Sequence, residues 1–341
     1  MKRLTFVSLV LILATNNIIA QTGNRQQYKY VFTVAKDGSG DYKFIQDAID
    51  AMRVFPLEPI TLYIKNGIYN EKIELPANNT DVTFVGESVD KTIITFNDYS
   101  GRGRLNTFTS YTAKISGNRF VAENITFANS AGPVGQALAL YVDADKAVFK
   151  NCRFLGHQDT IYTGGENSRQ YFVDCYIEGT TDYIFGPATA VFQNCTIRSK
   201  TNSFITAAST TKGKKFGYVF LDCRILADSN VTKLYLGRPW RAYSKTVFIR
   251  CELPKAIAAE GWNNWSNPEN EKTAFYAEFR NTGEGADVRN RVAWSKQLSE
   301  KEAREYSLEN IFLTENLNAP PERGWFQQIR TKPFEWPAEK K

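Results

Sequence analysis

The chain has 341 residues, 43% of them hydrophobic and 23% charged, with a formal net charge of +6. That balance excludes a disordered or low-complexity protein, because it supplies enough apolar surface for a sizeable core. Five cysteines spaced 23, 20, 28 and 28 residues apart, with His157 as the single histidine, fit no zinc or haem pattern, so neither a metal nor a cofactor is expected.

Residues 1–20, MKRLTFVSLVLILATNNIIA, open with Lys2 and Arg3, continue in an apolar run from Leu4 to Ala14 and reach the small Ala20. These are the features of a cleaved signal peptide, too short for a comfortable membrane span. The expectation is a secreted or periplasmic protein with no membrane anchor, and loss of the two basic residues lowers its charge from +6 to +4. A mildly basic exported protein suits an acidic partner.

Tyr30 to Val34 reads as a strand, followed by the turn at residues 37–40. In DYKFIQDAIDAMR the residues Phe44, Ile45, Ala48, Ile49 and Met52 recur at helical spacing, which predicts a short helix covering an open apolar end and stopped by Pro56 and Pro59. ITLYIKNGIYNEKIEL alternates like paired strands around Asn66 and Gly67.

From residue 120 a period emerges. FVAENITF, VFKNCRF, YFVDCYI, VFQNCTI, VFLDCRI and VFIRCEL are six versions of one strand phrase, with Asn124, Cys152, Cys175, Cys195, Cys223 and Cys251 taken as equivalent. Intervals of 20 to 28 residues with no helix-length spacer predict an all-β, single-domain, right-handed parallel β-helix with short capping helices; a propeller blade needs longer repeats. Equivalent residues then stack about 4.8 Å apart, and the cysteines form an inward ladder of small buried side chains. The last eighty residues leave the pattern, apart from a helix candidate at LSEKEAREYSLENIF with Ser299 and Glu302 spaced as a capping box. The domain is expected over residues 28–330, followed by a tail at 331–341.

Asp159 and Asp182 each stand seven residues after a cysteine, on consecutive coils, whereas the same offset gives Ala131 one coil earlier and Asn202 one coil later. Carboxylates roughly 5 Å apart cannot both ionise cheaply, so one holds a proton near neutrality and an acid–base pair results. Solvent-facing turn aspartates are the bland alternative. Gln136 and Gln158 could donate uncharged hydrogen bonds to a developing oxyanion. Arg238 could keep Asp182 ionised while Asp159 holds the proton. Tyr162, Tyr183, Phe185, Trp240 and Tyr243 lie close to these residues in sequence and suggest a cleft in which sugars stack. No Gly-x-Ser-x-Gly elbow accompanies His157, which argues against a serine triad.

The motifs QALAL (136–140), GHQDTIY (156–162), DYIFG (182–186) and LGRPW (236–240), with GIYNEKI (67–73), DGSGDYKFIQDAID and ITFANSAG (125–132), resemble the pectin methylesterase family over roughly residues 30–265. Ile161 and Tyr183 stand where that family usually has leucine and phenylalanine. The resemblance implies a right-handed parallel β-helix that removes methyl groups from the polysaccharide pectin without a metal. By that similarity Asp182 attacks the ester carbonyl, Asp159 protonates the methanol leaving group and then activates water, Gln136 and Gln158 hold the oxyanion, Arg238 fixes the nucleophile, and Phe185 and Trp240 line sugar subsites. A monomer that binds pectin and no nucleic acid is expected. The residues alone leave open a β-helical glycosidase using the two aspartates, a calcium-dependent lyase and a noncatalytic carbohydrate-binding solenoid.

Overall fold

The computed structural model describes residues 28–312, 324–327 and 335–337. The signal-peptide segment and most of the expected tail lie outside the described residues. Within them the chain winds as a parallel β-helix, each full coil giving one strand to each of three sheets of eleven, seven and seven strands. One coil shows the plan. Ala147–Lys150 lies in the first sheet, Arg153–Leu155 in the second and Ile161–Thr163 in the third; Arg169–Val173 then returns to the first sheet, parallel to Ala147–Lys150. Connections between parallel strands take the right hand almost without exception.

The repeated phrase builds the interior because alternate residues of a strand face opposite sides. Phe149, Phe172, Phe192, Phe220 and Phe248 form a column of stacked rings with centroids 4.8, 4.8, 4.7 and 4.2 Å apart. The five cysteines form a second inward column, all free and buried. Cys175 Sγ donates to the Phe149 carbonyl at 3.3 Å, and Cys223 Sγ to that of Phe192 at the same distance. Burial raises these thiols, Cys152 to about 12, so they stay protonated and unreactive.

The register corrects one equivalence. Glu123 pairs with Lys150, so Asn124 matches Asn151, and the residue in the cysteine column is the buried Ile125. Asn124, Asn151, Asp174, Asn194 and Asp222 form the next column, each turning the corner between first and second sheets with φ between 48° and 59°. Short Asn and Asp side chains tolerate that left-handed conformation best.

The ends differ from expectation in four ways. The N-terminal helix runs only over Ile45–Asp50; Phe44, half exposed, stands before it as its extended N-cap, while Ile45, Ala48 and Ile49 plug the cylinder. Residues 60–75 do not pair with each other around Asn66 and Gly67. Ile60–Ile64, Gly67–Asn70 and Ile73–Leu75 belong to three different sheets and bond to the next coil, so that corner is a solenoid turn and not a hairpin. In the last eighty residues Phe275–Phe279 and Lys296–Gln297 extend the first sheet by two strands. The helix candidate splits into Glu300–Ala303 and Leu308–Phe312; its capping box is present. Ile311 and Phe312, with Trp325 and Phe326, cover the apolar outer face of the first sheet around Tyr171 and Val191, so this segment flanks the cylinder instead of capping its end. No helix among the described residues is long and apolar enough to cross a membrane.

Candidate active site

The third sheet carries the site on its outer face. Ile161 pairs with Ile184, so Asp159 and Asp182, each two residues upstream, stand at the same level of adjacent coils. Both occupy the left-handed region, φ 62° and 49°. Their N–H groups donate to the carbonyls of Thr181 (3.0 Å) and Phe204 (2.9 Å) one coil on, which fixes both backbones. The coils before and after do not follow the constant seven-residue offset. Two extra residues separate the second and third sheets in the following coil, so Asp182 aligns with Phe204 and not Asn202. In the preceding coil Gln136 bridges Gln158 and Leu140 pairs with Ile161, which puts Ala137 and Leu138, and not Ala131, beside the Asp159 level.

The two carboxyls are 8% and 5% exposed. Burial, reinforced by the neighbouring charge of Asp182, pushes Asp159 up to about 8, and Arg238 offsets only part of this. Burial also raises Asp182, but there the hydrogen bonds and charge of Arg238 pull it back. Arg238 holds it through two bonds, Nε to Oδ1 at 3.0 Å and Nη2 to Oδ2 at 2.7 Å. Arg238 thus makes the pair unequal: it favours the carboxylate of Asp182 directly, while Asp159 is the member pushed further toward its protonated form.

Arg238 is held in turn by two rings that the sequence reading missed. Its guanidinium carbon lies 3.9 Å from the centroid of Phe204 and 3.7 Å from that of Trp265, a cation–π sandwich. Gly237, just before it, has no space for a side chain, since a Cβ would collide with Thr206. Gly186 at the end of DYIFG sits at φ 132°, and a Cβ there would strike the Thr163 carbonyl of the neighbouring coil.

Beside the carboxyls Gln136 and Gln158 form a parallel bridge, both half-buried, with side-chain amides that no protein group engages among the described residues. Outward aromatic rings continue the line. Tyr141, Tyr162 and Phe185 are register partners with centroids 4.9 and 5.0 Å apart, Trp240 follows Phe185 at 5.9 Å, and Tyr111 and Phe108 flank the far end. Tyr141 lies five residues after Gln136, one more than Tyr162 after Gln158, so an exact offset does not find it; Tyr111 and Phe108 precede the visible period.

Two of the proposed sugar-contacting residues fall elsewhere. Tyr183 is fully buried inside the cylinder, its hydroxyl 2.7 Å from Ser199 Oγ, because the left-handed turn at Asp182 sends the next side chain inward. Tyr243 lines a separate lysine-rich cavity. His157 sits near Glu178 and Lys200, its pKa lowered mainly by burial, and is neutral at pH 7.

A family model described as Pectinesterase matches residues 31–316. The chain belongs to the pectinesterase family. It is 40% identical over 281 residues to Pectinesterase 31 of Arabidopsis thaliana, covering 79% of this chain and 88% of the relative. The solved pectin methylesterase from carrot superposes with a TM-score of 0.79 at 35% identity, covering 82% of this chain and 92% of that one. A pectin methylesterase solved in complex with a hexasaccharide superposes at 0.71 with 30% identity, over 84% and 97%. The chain spans about half the length of several other curated relatives it matches. The parallel β-helix expected from the six phrases is thus the fold observed, and the family that the motifs resemble is the one matched.

Proposed function

We propose that this pectinesterase hydrolyses the methyl esters of homogalacturonan to methanol and free uronate through an aspartate nucleophile. The observation that carries the reading is the inequality of two neighbouring carboxyls, one clamped as a carboxylate by Arg238, the other pushed up to about 8. Asp182 adds through a carboxylate oxygen to the ester carbonyl, and the amides of Gln136 and Gln158 stabilise the resulting oxyanion. As the tetrahedral species collapses, the C–O bond to the methoxy group breaks and Asp159 gives it a proton, releasing methanol. An anhydride joins Asp182 to the sugar. Asp159, now ionised, takes a proton from water as the hydroxide equivalent adds to the anhydride, which returns both carboxyls to their starting states. Tyr162 and Trp240, packed on the more deeply set Phe185, offer apolar ring faces for the sugars on either side of the reacting ester.

Export through residues 1–20 and action as a monomer belong to the same reading. The test is incubation of purified protein with highly methylated pectin and a chelator, assaying methanol, reducing ends and unsaturated product. Methanol without new reducing ends is expected. Reducing ends without methanol would overturn the esterase in favour of a glycosidase.

A further inference from the structure

Apart from the catalytic groove, a cavity of about 680 Å³ opens at the start of the last first-sheet strands. Its wall contains five lysines against one glutamate, together with Tyr243, Phe275 and Trp294. Two lysines are already neutralised, Lys215 by Glu305 at 3.2 Å and Lys272 by Glu269 at 2.6 Å. The glutamate in the wall, Glu271, accepts from the amide of Asn264 at 2.7 Å. Lys214, Lys245 and Lys296 have no carboxylate within salt-bridge distance among the described residues.

Two of those cations, Lys245 and Lys296, are built around one ring. Lys245 and Phe275 are register partners, and the ammonium groups of Lys245 and Lys296 lie 5.7 and 5.0 Å from the centroid of the Phe275 ring. Lys214 Nζ donates to Asn167 Oδ1, and Lys245 Nζ makes a long 3.4 Å bond to the Lys215 carbonyl. Burial lowers the pKa of Lys245, the sign of a cation kept without a counter-charge. Ammonium groups set beside aromatic rings in one cavity match a chain in which every sugar ring bears a carboxylate. The cavity also adjoins the groove along the chain: Arg238 and Trp240 serve the carboxyl pair and ring ladder, and Tyr243 and Lys245, a few residues on, line the cavity.

We infer that this cavity is an accessory site for de-esterified galacturonate, an anionic uronate oligosaccharide held by Lys214, Lys245 and Lys296 over Tyr243, Phe275 and Trp294. The assignment rests on the proposed esterase reading, in which such a chain is the product. Product uronates would then be retained beside the groove while esterified residues occupy the ladder, because a methyl ester offers no charge to the lysines.

Calorimetric titration of the full chain with a fully de-esterified galacturonate hexamer tests this, with quenching of Trp294 as a second reading. Binding that weakens with added salt is expected, and Lys245→Gln/Lys296→Gln should weaken it at least tenfold while leaving methanol release from a short methyl ester intact. Lys214→Gln/Lys296→Gln, which spares the half-buried Lys245, should act in the same direction. Equal hexamer affinity in wild type and both double variants overturns the site. So does dextran sulfate binding as tightly and with the same lysine dependence, which would make the cavity a general polyanion patch. Lysine-dependent hexamer binding in a protein that releases no methanol would sink the esterase reading and leave the uronate site standing; normal methanol release with lysine-independent binding does the reverse.

Discussion

Asp159 and Asp182 carry the same side chain at the same level of successive coils, and the hydrogen bonds of Arg238, made only to Asp182, separate their roles. Folding moves Asp159 from 3.8 to about 8. A group whose folded pKa is raised contributes stability in full below its unfolded pKa and loses it as pH rises through the folded value. The stability of the wild type relative to Asp159→Asn is therefore expected to fall between about pH 3.8 and about pH 8 and to level off above. Thermal melts of both proteins in matched buffers read that difference, and a flat line would show that Asp159 does not hold the proton. In the proposed mechanism the same proton passes to the leaving group, so kcat/KM should decline above about pH 8, and Asp159→Asn should lower kcat roughly 10²- to 10⁴-fold. In the proposed mechanism Asp182→Asn replaces the attacking carboxylate with a neutral, non-nucleophilic amide. Methanol release should drop by about 10³ or more while the protein still melts cooperatively, and full activity would remove Asp182 as nucleophile.

Among the elements, the strand Tyr235–Gly237 delivers Arg238 to Asp182, but the loop carrying Trp265 and the strand end at Phe204 hold it there. A cation–π contact contributes about 0.5–2 kcal/mol, so Trp265→Ala is expected to loosen the guanidinium and lower kcat by about tenfold, 1.4 kcal/mol per decade. Steady-state kinetics separate two roles: a fall in kcat with little change in KM marks positioning, whereas a rise in KM alone would make Trp265 a sugar contact. This clamp was not legible in the sequence, because Phe204 follows a two-residue insertion and Trp265 lies outside the repeat. What could be read were features that recur at constant offset: the phenylalanine and cysteine columns and the carboxyl pair. Where coils change length the offset fails, as at Asn202, and where a left-handed residue intervenes the side-chain direction inverts, as at Tyr183. Asn124 was misplaced by one position because its phrase lacks a cysteine, and only the strand register identifies Ile125 as occupant of that column.

At the scale of the whole molecule the cylinder needs a closure at each end, and the two ends solve this differently. The N-terminal end uses the apolar residues of a short helix. Toward the C-terminal end the phenylalanine column stops at Phe248, whose partner in the next strand is Glu278, 1% exposed at the side chain and paired with Arg291 at 2.7 Å. Arg291 also donates to the carbonyls of Ala258, Ala259 and Gly285, which ties the closing loop to the last coils. Removing one member of a buried ion pair leaves the other charged and unsolvated, at a cost of ~3–5 kcal/mol, whereas removing both charges can be nearly neutral. Arg291→Met is therefore expected to destabilise strongly and Glu278→Gln/Arg291→Met to recover most of the loss. In a solenoid each coil is supported chiefly by its neighbours, so damage should begin at this end. Hydrogen exchange in Arg291→Met should accelerate first in Phe275–Phe279 while Ala147–Lys150 stays protected. Unchanged melting of Arg291→Met, or exchange rising equally in both strands, would show that the closure is not a local ion-pair plug and that the cylinder unfolds as one unit.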